Sequence, residues 1–344
     1  MRFMRYRWLF NLLLLILLVT GLVILLYPSS NEENVTLSDD QRTLSSFKKV
    51  DDFPLYVMTY YGDYGFDDYL EQGLTSFELT RLSPTRAWAC TTFYASSPDS
   101  DALLGRNFDW YDHPALLLFT DPPEAYASVT MVDLHYLGFS IDQEPTTPAM
   151  DTLLDAPYWA FDGMNEHGLA IGMMAVSQAD PPLDPDKVTI SSLEAIRLML
   201  DYAKDVDEAI TLLDQYNLDF IGGPPLHYLI SDKNGNSTVV EFLNGEMISL
   251  ENKDPWQVST NFILSIEKPQ GSNSSCWRYN QAYHDLQDAD GNISSEEAMT
   301  ILESVAQPNT LWSIVYNQEN GQIDLAVGRD YRHIHQFNLN SPPK

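Results

Sequence analysis

The spacing of apolar and polar residues changes rhythm along this chain, and each rhythm predicts a different element. From Trp88 onward short strand-like runs dominate. "ACTTFYAS" and "ALLGRNFDW" are separated by "SPDSD", a hairpin connection. "LAIGMMAV" follows the turn "MNEHG". "LHYLISD", "STVVEFL" and "EMISL" are joined by "KNGN" and "NG", hairpin signals because Asn-Gly accepts the positive φ angles of a two-residue turn. "LWSIVYN" and "QIDLAVG" flank "QENG". Apolar residues at i, i+3, i+4 predict helices in "SLEAIRLMLDYA" and "VDEAITLLDQY", and two more helices fit "SCWRYNQAYHDLQ" and "SEEAMTILESVA". Antiparallel meanders with helices in pairs predict α+β layers. No linker-like stretch interrupts Phe53 to Leu339 and no internal repeat is present, so this region reads as one domain.

The N-terminus is different. "MRFMRYR" carries Arg2, Arg5 and Arg7 and no acid, and the twenty residues Trp8 to Tyr27 follow without a charge. At about 1.5 Å per residue such a helix spans the ~30 Å hydrocarbon core. The arginines favour a cytoplasmic stub at residues 1–7, a membrane anchor at 8–27 and a domain outside the cytoplasm. The rival is a cleaved signal peptide and a secreted domain. The apolar run exceeds a usual signal core, and no small-x-small cleavage site precedes Ser29. Residues 28–89 then read as linker and propeptide-like segment: "PSSNEENVTLSDDQRTLSSFKK" is polar, and ordered structure is expected from about Phe53.

Charge narrows the partners. The chain has 19 basic and 49 acidic residues, a net −30. Without the three leading arginines the remainder carries −33. Nucleic acid is excluded as a partner, because phosphate binding needs a cationic surface.

Several motifs resolve into plain structure. "DADGNISSEE" resembles a calcium loop, but its first ligand position falls on Leu286, so a turn followed by the capping box Ser294/Glu297 is expected. "SSCWRY" resembles a papain-type signature, yet too little chain follows Cys276 to supply the histidine and asparagine. It reads as a helix start capped by Ser275. Arg278 then lies in the first turn, where the helix dipole disfavours a cation unless a specific partner holds it. His333 and His335 lack a third metal ligand. His227 reads as a strand residue with a satisfied ring. No G-x-S-x-G elbow, H-E-x-x-H pair or Walker loop occurs.

Cys90 and Cys276 are the only cysteines. They either form a structural disulfide or leave Cys90 free for chemistry. A cysteine nucleophile needs a base. If the chain is cut between Ala89 and Cys90, the new α-amino group, with a pKa of about 7.7–8.0, can take the thiol proton.

"CTTFYASSPDSDALLGRNFDW" and "FDGMNEHGLAIGM" resemble the choloylglycine hydrolase group of N-terminal-nucleophile hydrolases, which includes bile salt hydrolases and penicillin V acylases. Acid ceramidase, N-acylethanolamine amidases and acyltransferase-like peptidases are related to it. The resemblance runs from Cys90 to about Leu339. It implies a four-layer αββα fold over residues 90–344 and hydrolysis of linear, non-peptide amides without metal or cofactor. A small N-acyl amide is the implied substrate. Residue by residue, Cys90 matches the nucleophile. Arg106 matches an arginine packed against it, and Asp109 the aspartate that orients the α-amino group. Asn261 matches an oxyanion donor, and Arg278 the second active-site arginine. Since Arg106 and Asp109 alternate on one strand, a twist or bulge must bring them together. Ala175 stands where bile salt hydrolases carry an asparagine and penicillin V acylases a tyrosine. Acyl transfer on the same fold, and a non-catalytic surface domain bridged by Cys90–Cys276, are the alternatives. The stretch from Tyr111 to Ala156 reads as loops that shape an acyl pocket.

Overall fold

The computed structural model of the chain describes residues 37–73, 89–142, 150–220 and 224–343. The chain divides into two units, Met1–Ser38 and Asp39–Lys344. The stub and the membrane segment expected over Trp8–Tyr27 lie outside the described residues. Among the described residues, no helix is long and apolar enough to cross a membrane.

The second unit opens with α1 (Asp39–Ser46), β1 (Lys48–Asp51), β2 (Leu55–Tyr60) and α2 (Phe66–Gln72). The hairpin β3 (Thr91–Ser97) and β4 (Ser100–Asp109) follows, then β5 (Ala115–Thr120), β6 (Ser128–Asp133), β7 (Asp162–Asn165) and β8 (Ala170–Ala175). β9 (Thr189–Ser191) leads into α3 (Ser192–Tyr202) and α4 (Val206–Leu213), and β10 (Asn217–Asp219) pairs back on β9. The meander β11 (Leu226–Ser231), β12 (Ser237–Leu243) and β13 (Glu246–Glu251) precedes β14 (Trp256–Ser259). Three helices come next: α5 (Leu264–Glu267), α6 (Trp277–Asp288) and α7 (Ser295–Ser304). β15 (Thr310–Asn317), β16 (Gln322–Val327) and β17 (His335–Asn338) complete the set.

Nine strands, in the order β1-β2-β5-β6-β7-β8-β11-β12-β13, form one sheet, and six, in the order β14-β3-β4-β15-β16-β17, form another. The sheets face each other where β3 and β4 pack on β8, and β3 on β11. α3 and α4 cover the larger sheet through β7 and β11, and α6 and α7 cover the smaller through β3, β4, β14 and β15. This is the expected αββα sandwich. Apolar burial drives it: one core includes Phe108, Ile171 and Trp312, and a second joins Phe93, Leu286, Leu302 and Val315. The Asn-Gly turn reads true, with φ of 54° at Asn244 and 75° at Gly245. The Ser294/Glu297 capping box is present.

Three expectations need correction. The segment 28–89 is not simply a linker, because β2 pairs in parallel with β5 inside the larger sheet. Polar composition hides α1: it docks through hydroxyls, with Thr43 Oγ1 accepting from Tyr61 N–H at 2.9 Å and Ser46 Oγ from Thr59 N–H at 2.9 Å. Tyr111 to Ala156 is not a set of loops, since it contains β5 and β6, buried at every residue. Helix α6 is capped by Cys276, not Ser275.

Candidate active site

Cys90 lies buried just ahead of β3. Its backbone N–H donates to Asn261 Oδ1 at 2.6 Å. Its carbonyl accepts from Arg278 Nη1, which also donates to Thr91 Oγ1 at 2.9 Å. Arg278 Nη2 donates to Asn261 Oδ1 at 3.0 Å. The cation misplaced by the helix-dipole argument is thus held by three oxygens at the head of α6. Asn261 follows β14, and its Nδ2 donates to the Ala175 carbonyl at 2.8 Å. One Nδ2 hydrogen remains for another acceptor. At Ala175 the chain therefore contributes a backbone acceptor that holds Asn261. Both cysteines are free, so the Cys90–Cys276 bridge is not formed.

Arg106 and Asp109 stand on β4. The Arg106 guanidinium is fully buried, with Nε 3.0 Å from Asp162 Oδ2. Its Nη1 and Nη2 have no hydrogen-bond partner among the described residues. Asp162 is fixed by Trp312 Nε1–H at 3.0 Å and Tyr316 O–H at 2.6 Å. A register shift is present next to this pair, but in the partner strand: opposite Phe108 and Asp109, β15 shifts between Thr310 and Trp312. Asp109 Oδ1 accepts from Thr310 Oγ1 at 2.5 Å, while Oδ2 is buried without a hydrogen-bond partner among the described residues.

These surroundings set the protonation of the site. Burial pushes the Cys90 thiol above its ordinary value, and the Asp109 charge adds to this; Arg106, the Asp109 backbone N–H and Arg278 oppose the rise. The thiol therefore needs a base before it can attack. Burial likewise pushes the Asp109 carboxyl up to about 7, against the Thr310 hydroxyl and the Arg278 and Arg106 charges. A carboxyl raised in the folded state holds an extra proton between its unfolded value near 4 and about 7. Its contribution to stability is present below pH 4 and is lost as pH rises through 7. We predict that, in an uncut Cys90→Ala background, Asp109→Asn removes a loss on the order of 2–4 kcal/mol across this window. Urea titrations of the two chains at pH 4 and pH 8 measure it. Equal pH dependence in both would show that Asp109 is ionised throughout.

Gly172 on β8 lets the two sheets close over the site. A Cβ there would lie 2.9 Å from Thr92 Cγ2 and 3.4 Å from Arg106 Nη1. We expect Gly172→Ala to cost about 1–3 kcal/mol by overpacking. An unchanged urea midpoint would show that Thr92 yields freely.

Of the five residues singled out in the sequence, Cys90, Asn261 and Arg278 form one hydrogen-bonded cluster. Arg106 and Asp109 act on the Cys90 thiol from β4 through charge and, for Asp109, its backbone N–H. Sequence reasoning assigned no role to Asp162 or Thr310. Asp162 sat within the quoted "FDGMN", and its pairing with Arg106 crosses between the sheets.

The family model "Linear amide C-N hydrolases, choloylglycine hydrolase family" matches residues 90–261, half of the chain. An uncharacterised protein of Paramecium bursaria Chlorella virus 1 is 31% identical over 110 residues, covering 29% of this chain and 38% of its own length. Penicillin V acylase of Pectobacterium atrosepticum is 26% identical over 186 residues, covering 50% of this chain and 49% of its own. The chain thus spans at most about half the length of these relatives. A mutant conjugated bile acid hydrolase from Clostridium perfringens has a similar fold, with a TM-score of 0.55 at 17% identity over 73% of this chain and 92% of that one. With its family model beginning at Cys90, this chain belongs to the choloylglycine hydrolase family of linear amide C–N hydrolases.

Proposed function

We propose that this protein hydrolyses a small N-acyl amide with Cys90 as nucleophile, after the chain is cut between Ala89 and Cys90. One observation carries the reading. The Cys90 nitrogen is already held by Asn261 Oδ1, while its thiol receives the Asp109 backbone N–H and the Arg106 charge. The future base and the nucleophile are therefore oriented on one residue.

In the cut, Cys90 Sγ attacks the Ala89 carbonyl carbon, the Ala89–Cys90 C–N bond breaks, and the nitrogen takes the proton. Water then hydrolyses the thioester, leaving an Ala89 carboxylate and a free α-amino group. In turnover that amine accepts the thiol proton as Sγ attacks the substrate carbonyl. The remaining Nδ2 hydrogen of Asn261 donates to the oxyanion. The C–N bond breaks, the leaving amine takes the proton, and an acyl-thioester forms. Water, deprotonated by the α-amine, releases the acid and restores the thiol. Asp109, made anionic by the new ammonium charge, orients the amine. The arginine-led apolar segment at residues 8–27 supports placing this site outside the cytoplasm on a membrane anchor.

The test is release of p-nitroaniline by purified full-length protein from straight-chain acyl and phenoxyacetyl p-nitroanilides. Turnover of at least one member is expected. Inactivity on the whole series would contradict the reading.

A further inference from the structure

We propose that His227 and Glu241 are positioning residues that fix Asn261 from both sides; this rests on the oxyanion role given to Asn261 above. His227 lies on β11 and Glu241 on β12. The register that pairs Tyr228 with Val240 sets them opposite each other. Both side chains are fully buried, and His227 Nδ1 faces Glu241 Oε1 across 3.4 Å. Among the described residues, neither makes a hydrogen bond or ion pair to Cys90. What they touch is the corner that carries Asn261.

That corner, residues 260–263, joins β14 to α5. On its upstream side His227 Nε2–H donates to the Thr260 carbonyl at 2.8 Å, and Ser259 Oγ lies 3.2 Å from the same nitrogen. On its downstream side Glu241 takes up two backbone donors: Leu264 N–H at 2.5 Å and Ser265 N–H at 3.0 Å. These are the first N–H groups of α5, whose cap residue Ile263 offers no side-chain acceptor. Burial alone would raise the Glu241 carboxyl; the nearby His227 ring and the Ser265 N–H outweigh it and hold it below its ordinary value, so it stays an acceptor. The third grip is on the side chain itself, the Asn261 Nδ2 bond to Ala175 O. Ala175 neighbours Met174, the β8 partner of His227. Three adjacent strands of the larger sheet thus clamp one loop of the smaller. An oxyanion donor acts only when preset, and displacement by about 1 Å can cost up to ~100-fold.

The expected results are a His227→Phe kcat about 10-fold lower with KM within about 2-fold, and a His227→Gln kcat within about 3-fold of wild type, because its amide restores the donor to Thr260. Glu241→Gln, which can accept from only one of the two N–H groups, loses about 5-fold and carries the same test should His227→Phe fail to fold. The decisive reading is a double-mutant cycle on the best p-nitroanilide of the series. In an Asn261→Ala background, His227→Phe or Glu241→Gln should cost less than about 2-fold further, because the group they position is gone. Equal losses in both backgrounds would overturn the inference and leave the role of Asn261 standing. A normal kcat for Asn261→Ala alone, or an inactive wild type, would overturn the underlying reading and this inference with it.

Discussion

Replacing Cys90 by alanine is expected to abolish amide turnover and to leave the chain uncut between Ala89 and Cys90. Both effects follow from one sulfur. Its removal takes away the nucleophile for the substrate and for the Ala89 carbonyl. Loss of a nucleophile costs at least about 10⁴-fold in kcat. Cys90→Ser is milder toward the cut than toward turnover: the hydroxyl can attack slowly over the lifetime of the protein, but it is a poorer nucleophile on every catalytic cycle. Gel electrophoresis reports the cut, and p-nitroaniline release reports turnover. Retention of wild-type turnover by Cys90→Ala would contradict the assignment.

Asn261→Ala is expected to have the second-largest effect. An oxyanion donor is worth about 2.7–4 kcal/mol when preset at the developing charge. No side-chain donor exists at Ala175 to share that load, so kcat should fall by at least about 100-fold while KM changes little, since the bond strengthens mainly in the transition state. The same variant loses the acceptor for the Cys90 nitrogen, so the cut slows as well. Asn261→Asp should be equally damaging, because it sets a carboxylate where an anion forms. A purely structural Asn261 would lower the melting temperature and spare kcat. Measuring both separates the two.

The meanders and paired helices were legible because turn chemistry and half-buried alternation mark them locally: "KNGN", "NG" and "QENG" each fall between strands. β5 and β6 were not, since strands covered on both faces lose their alternation. α1 was missed because it docks through Thr43 and Ser46 rather than an apolar stripe. At the site, the odd placement of Arg278 in a first helical turn gave a local signal of a special partner. Strand period demanded a twist or bulge to bring Arg106 and Asp109 together, and the register shift found beside them lies in β15, between Thr310 and Trp312. The His227–Glu241 clamp had no local signal, because its register and its grip on the β14 corner arise only when the two sheets pack.

The central claim is that Cys90 becomes the first residue of the catalytic chain. N-terminal sequencing and intact mass of active protein test it most directly. The account predicts a chain reading Cys-Thr-Thr-Phe-Tyr, with the upstream piece retained under native conditions because β2 stays paired with β5. Full activity from a chain still continuous across Ala89–Cys90 would contradict it.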